Sequence, residues 1–139
     1  MKILLAVDGS AFTKKMLAYL AAHDLFAAHN AYTVLTVQLP LPPQARAALG
    51  KDTVQKYHDD EGQRIVAPVL KFLQRHGVTA KTLCKAGHPG DTIAKLAEEG
   101  QFDLIVMGSH GHSAFANLVL GSVANRVLAN SKVPVLIVR

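Results

Sequence analysis

The 139 residues, half of them hydrophobic and only 18% charged, suit one domain spanning 1–139 and exclude a disordered chain. Fifteen Lys and Arg against ten Asp and Glu leave a formal charge of +5, but the cations are scattered, which argues for solubility or a local anion site and against a nucleic-acid-binding stripe. The single cysteine, Cys84, excludes an internal disulfide, and no unbroken apolar stretch approaches the roughly 18–20 residues of a membrane span.

Ile3 to Val7 is an apolar run too short for a secretory leader, and Asp8-Gly9-Ser10 ends it as a turn would end a buried strand. The expected compartment is the cytoplasm, with no membrane partner. Phe12 to His29 carries Met16, Leu17, Leu20, Ala21, Leu25 and Phe26 at helical spacing, with Ser10 placed to cap it. Tyr32 to Leu39 predicts a second strand; Pro40, Pro42 and Pro43 then open a loop. Asp52 to His76 is helical again, with Pro68 expected to kink it and Gly77 to end it. Thr79 to Lys85 has the partial alternation of a half-exposed edge strand, and Cys84 on it is a small packing residue.

Asp91 is placed to cap a third helix over Thr92 to Glu99; Asp103 to Met107 is the fourth strand, Ala116 to Asn130 the fourth helix and Val133 to Val138 the fifth strand. Consecutive apolar positions such as Leu104-Ile105-Val106 predict strands buried on both faces. Strands alternating with helices, at this length, predict an α/β fold: a doubly wound, open, five-stranded parallel sheet with helices on both faces.

In such a sheet, ligands bind beyond the carboxyl ends of the strands. Two of these ends are unusual: Val7-Asp8-Gly9-Ser10, and Met107-Gly108-Ser109-His110-Gly111 with Gly121-Ser122 following. Gly108 and Gly111 permit positive φ and close approach of backbone to a ligand, with no Cβ in the way. Amides at Gly121 and Ser122, opening a helix, suit a phosphate. The pattern Gly-x2-Gly-x9-Gly-Ser is neither a Walker loop nor a Gly-x-Gly-x-x-Gly fingerprint.

Taken together, Lys2 to Ser10, Gly87-His88-Pro89, Asp103 to Gly111, Leu120 to Ala124 and Pro134 to Arg139 make the chain similar to the universal stress protein family over essentially its whole length. The complete Gly-x2-Gly-x9-Gly-Ser element resembles the mark of that family's ATP-binding branch. The resemblance implies strand order 3-2-1-4-5, an adenine nucleotide alpha hydrolase-like arrangement, and ATP or another adenine nucleotide at the ends of the first and fourth strands. It places Asp8 by the nucleoside and a bound Mg²⁺ or Mn²⁺, with Ala6 and Val7 beside it and Ser10 in the same nucleotide-binding set. Val37 would meet the adenine, and Met107 and Gly108 the ribose. Gly111, Gly121, Ser122 and Val123 would hold the phosphates, and Ser109 and His110 belong to the same nucleotide-binding set. Ala114 stands where many relatives carry glycine. The implied role is regulatory, in the stress response, with at most slow hydrolysis. A homodimer is expected through Val133–Val138, an apolar strand with almost no charge to protect an edge.

Other readings compete. A dimeric interaction protein of the same fold, binding no nucleotide, would lack the spaced glycines. An adenylating enzyme would show Ser-Gly-Gly-x-Asp-Ser or His-x-Gly-His after the first strand, where this chain has Asp-Gly-Ser. Asp8 by itself also fits a capping role. His110 and His112, with His88, invite a zinc reading that lacks a cysteine or acidic partner at ligand spacing. Lys14 and Lys15 read as a solvated face, and Ser122 as a phosphate ligand in preference to a nucleophile.

Overall fold

Alternation along the first strand divides the core in two. In β1 (Lys2–Ala6), Ile3 and Leu5 enter one cluster with Val34 and Val106, while Leu4 and Ala6 enter another with Leu35 and Ile105. Both faces are buried, as the unbroken apolar runs require. The computed structural model describes residues 1–112, 117 and 119–139.

The remaining elements are α1 (Ala11–Ala22), β2 (Ala31–Gln38), α2 (Pro43–Leu49), α3 (Lys51–Arg75), β3 (Ala80–Ala86), α4 (Pro89–Glu99), β4 (Leu104–Gly108), α5 (Ser122–Asn130) and β5 (Val135–Val138). The five strands are parallel in the order β3-β2-β1-β4-β5, as expected. Met16, Leu17 and Leu20 of α1 and Val66, Val69 and Leu73 of α3 cover one face. Ile93 and Ala97 of α4 and Ala124 and Val127 of α5 cover the other. None of the described helices is long and apolar enough to cross a membrane.

Several boundaries differ from the sequence reading, each for a local reason. The first helix stops at Ala22, short of His29, because Asp24 takes φ 53° and the Leu25 amide donates to Leu20 O at 2.9 Å. This is a Schellman ending built on aspartate where glycine is usual. The same ending closes α4, with Gln101 at φ 53° and Phe102 N donating to Ala97 O at 2.9 Å. It also closes α3 at Gly77, φ 74°, where glycine made it legible. The proline-rich segment holds a short helix, α2, with no buried residue. Pro68 lies inside α3 without ending it, flanked by the buried Val66 and Val69 that anchor the helix to the sheet. Ser10 occupies the N-cap position of α1 but makes no side-chain cap bond. Asp91 lies in the first turn of α4, and His88 takes the cap position. The expected fourth helix begins at Ala116, which lies outside the described residues, as does Ala114; α5 itself starts at Ser122.

Cys84 packs against the α3-side core, and burial pushes its thiol pKa up, with Asp59 pushing the same way. It remains a protonated packing group, as expected. Gly62 of α3 is the residue that lets the helix settle on it: a Cβ there would lie 2.7 Å from Cys84 Sγ and 2.9 Å from its Cβ. Gly62→Ala gains about 0.5–1 kcal/mol of helix propensity but meets that contact. The expected net is a loss of about 1–2 kcal/mol in urea unfolding, partly recovered when Cys84→Ala is added.

Candidate functional site

The carboxyl ends of β1 and β4 lie side by side, with Ala6 opposite Met107. The strand order reverses between them. The chain leaving β1 turns into α1 on one face of the sheet, and the chain leaving β4 leads towards α5 on the other. A crevice at this switch point is inherent in the topology. The cleft encloses about 620 Å³ of empty space, part of it open to solvent.

Most of the sequence-predicted residues converge on it. Ala6, Val7, Asp8, Val37, Met107, Gly108, Ser109, His110, Gly111, Gly121 and Val123 all line the cleft. Ser10 and Ser122 do not. Ser10 is 5% exposed, and its Oγ is buried without a hydrogen bond among the described residues. Ser122, exposed at the start of α5, lines a second groove that shares Pro89 and Val123 with the cleft.

The three spaced glycines are not left-handed, contrary to one of their expected uses; positive φ occurs at Gly9, Gly50, Gly77 and Gly87. Close approach is what they provide. A Cβ on Gly108 would lie 2.7 Å from Phe12 Cβ and 3.1 Å from its carbonyl. On Gly111 it would lie 2.8 Å from Asp8 Oδ2, and on Gly121 it would lie 3.1 Å from both His110 Cα and Ser109 O. Each glycine therefore brings one segment of the rim against another. The Gly121 amide completes this by donating to Ser109 O at 2.7 Å.

Asp8 is held at the centre of this rim. Its Oδ1 accepts from Ser10 N at 2.9 Å and from the Thr13 hydroxyl at 3.0 Å, while its own amide donates to Thr13 Oγ1 at 3.1 Å. The carboxylate thus caps its loop through one oxygen, and its other oxygen faces Gly111. Across the cleft, His112 Nε2 donates to Asp8 O at 2.8 Å. His110 lies against the Phe12 ring, centroids 5.0 Å apart, and its Nδ1 is 2.8 Å from Ser109 Oγ. Ser109 is 0% exposed, so its hydroxyl orients the imidazole and is unreachable as a nucleophile. Among the described residues no group of three or more His, Cys, Asp or Glu side chains is placed to hold a metal ion.

Thr13, Leu35 and Ile93 also line the cleft and were not singled out from the sequence, while Pro89 and Ala124, which line it too, were named only within stretches that carry the family likeness. Thr13 had a signal: once Asp8 ends a strand and Ser10 starts a helix, the first turn brings position 13 back over position 8. The apolar four are ordinary core residues by type, and only the topology reveals that they edge an opening.

The arrangement defines an α/β protein with a cleft at the switch point of an open parallel sheet. Comparison with known proteins then identifies it further: the model of the Universal stress protein family matches residues 1–139, and the chain belongs to that family. It is 33% identical over 138 residues to the universal stress protein Slr1230 of Synechocystis, covering 99% of this chain and 42% of that protein. It is 32% identical to the universal stress protein YxiE of Bacillus subtilis, covering 99% of this chain and 98% of that one. Thus the chain spans under half the length of Slr1230 and nearly all of YxiE. Among solved structures, MJ0577 superposes with a TM-score of 0.82 at 28% identity, over 99% of this chain and 94% of that one. A universal stress protein in complex with cAMP superposes with a TM-score of 0.60 at 26% identity, over 100% of this chain and 97% of that one.

The Thr13 hydroxyl both donates to Asp8 Oδ1 and accepts from its amide, at 5% exposure. Thr13→Val keeps the shape and leaves a half-buried amide and carboxylate short of a partner, at an expected cost of about 1–3 kcal/mol in urea unfolding. Thr13→Ser should restore most of it.

Proposed function

We propose that this universal stress protein binds an adenine nucleotide in the cleft between β1 and β4, ATP together with Mg²⁺ or Mn²⁺, and serves as a nucleotide-dependent regulator with at most slow hydrolysis. The carrying observation is the make-up of the cleft, in which an apolar half adjoins a half of bare backbone and one carboxylate. Leu35, Val37, Met107 and Ile93 offer flat apolar walls suited to a purine. Gly108, Gly111 and Gly121 offer backbone without side chains, next to Asp8. The glycines alone would not carry the reading, because the contacts of the rim demand each of them. The relative solved with cAMP supports the ligand class.

The residues fit such a ligand on one condition. A polyphosphate brings several negative charges towards the Asp8 carboxylate, so a divalent cation must stand between them. Asp8 would be its protein ligand and phosphate oxygens would supply the rest, since no cluster of protein ligands stands among the described residues. The cation would neutralise phosphate charge. The protein would contribute the position of Asp8, fixed by Ser10 and Thr13.

The same reading includes a homodimer. Both edge strands, β3 and β5, present unpaired backbone, but β3 carries exposed Lys81 and Lys85, whereas β5 shows half-buried Val135, Leu136 and Ile137 without a charge. Charged edges resist pairing and apolar ones invite it, so the pairing edge is β5.

Two measurements test this. In calorimetry, ATP should bind the wild type more tightly with Mg²⁺ than with EDTA. Asp8→Asn, which keeps an acceptor for Ser10 N and Thr13, should remove that difference without lowering the melting temperature by more than a few degrees. Absence of ATP binding, or indifference to EDTA, would overturn the assignment. Light scattering at micromolar concentration should give twice the chain mass, and a monomer would remove β5 as an interface.

A further inference from the structure

The groove beside the cleft is lined by one ion pair, Arg126 and Asp91. Arg126 lies on α5 four residues beyond Ser122, on the same helix face, and both line the groove that adjoins the cleft across Pro89 and Val123. Among the described residues lining either space, Arg126 is the permanent cation. Its guanidinium is bound to Asp91, with Nε 2.7 Å from Oδ1 and Nη2 3.3 Å from Oδ2.

The two ends of this side chain are held very differently. Its stem lies directly on α4: a Cβ on Gly90 would fall 2.4 Å from Arg126 Cβ and 2.6 Å from its Cγ. Its head group is at the surface, in a pair whose side chains are 63% and 45% exposed. Exposed ion pairs of this kind contribute little and exchange readily. Asp91 also accepts from Asn130 Nδ2 at 3.1 Å, so its carboxylate keeps a donor when the guanidinium leaves.

We propose that Arg126 is a specificity-determining residue that takes the terminal phosphates of a nucleoside di- or triphosphate by exchanging Asp91 for phosphate oxygens, so that this groove, with Ser122, distinguishes a polyphosphate from a monophosphate. The proposal rests on the adenine-nucleotide reading of the cleft and adds the place where the phosphate tail runs. In the cleft Asp8 meets the tail only through the divalent cation, and no Lys or Arg stands among the described residues lining the cleft to take the remaining phosphate charge. The tail therefore passes the Val123 ridge to the adjacent cation. A guanidinium fork matches two phosphate oxygens as well as it matches a carboxylate. Asp91 stores the fork in place, and Gly90 fixes the stem so that only the head group has to swing.

Calorimetric titrations of ATP and AMP, both with Mg²⁺, test this on the wild type, Arg126→Met and Asp91→Asn. The wild type should prefer ATP over AMP by about tenfold or more, the scale of added charge-assisted hydrogen bonds. Arg126→Met should collapse the preference to about twofold by weakening ATP alone, with AMP affinity and melting temperature unchanged. Asp91→Asn frees the guanidinium and should raise ATP affinity several-fold, again leaving AMP alone. A preference for ATP that survives Arg126→Met overturns the role of Arg126 and leaves the cleft assignment standing. If the wild type binds neither nucleotide, the cleft assignment falls, and this inference falls with it.

Discussion

Three backbone segments at the end of the sheet approach one another more closely than a Cβ allows, and the rest of the site depends on that approach. Gly108 rests on the first turn of α1, Gly111 on the Asp8 carboxylate and Gly121 on the backbone of Ser109 and His110. A side chain at any of them would have to displace main chain or a fixed carboxylate, neither of which yields cheaply. Because of these contacts the β1 loop and the β4 loop form one continuous rim. The Ser109 amide, bonded to Val138 O at 2.8 Å, ties that rim to β5. The spacing that looks like a ligand signature in the sequence is also a packing requirement of the empty protein. Both roles act through the same atoms.

The two faces of the sheet contribute unequally to the opening. On the α1 side, Thr13 and Ser10 are buried and serve to hold Asp8 in place. On the α4–α5 side, the helices themselves form the wall, with Ile93, Val123 and Ala124 along it. Polar anchoring therefore comes from one connection and apolar surface from the other. The Asp91–Arg126–Asn130 network joins the helices of that wall at their solvent side, and its hydrogen bonds from Arg126 hold the Asp91 carboxyl below its usual pKa, against a smaller opposing effect of burial.

Much of the architecture was legible because strands buried on both faces leave unbroken apolar runs, and those runs alternate with helical periods. The parallel order and most cleft residues followed from that pattern and from the family likeness. What was not legible had specific causes. The end of α1 before Asp24 uses a left-handed residue that is not glycine, so no sequence signal marked it, whereas the end of α4 at Glu99 was read correctly. The helix α2 buries nothing and so leaves no periodic stripe. Ser10 and Asp91 are capping residues by type, yet the caps they suggested are not made: the Ser10 hydroxyl has no hydrogen bond among the described residues, and Asp91 lies within the first turn of α4 with its carboxylate bonded to Arg126 and Asn130. Ser122 was grouped with the cleft from its neighbourship to Gly121, but the helical turn carries its side chain over the ridge into the groove.

The register of the sheet has a consequence for how the protein comes into being. β1 pairs with β4 from Ile3 opposite Leu104 onwards, in the middle of the sheet. The cleft is thus made from residues near the start of the sequence and residues a hundred positions later. During synthesis, β1, β2 and β3 can form a three-stranded sheet whose open edge is β1, with Leu4 and Leu5 beside unsatisfied backbone. That edge waits until β4 emerges, and closing so long a loop is among the slower steps in folding. A nascent chain therefore has no cleft at all until β4 has emerged, and until then its central strand is the one a chaperone would have to cover.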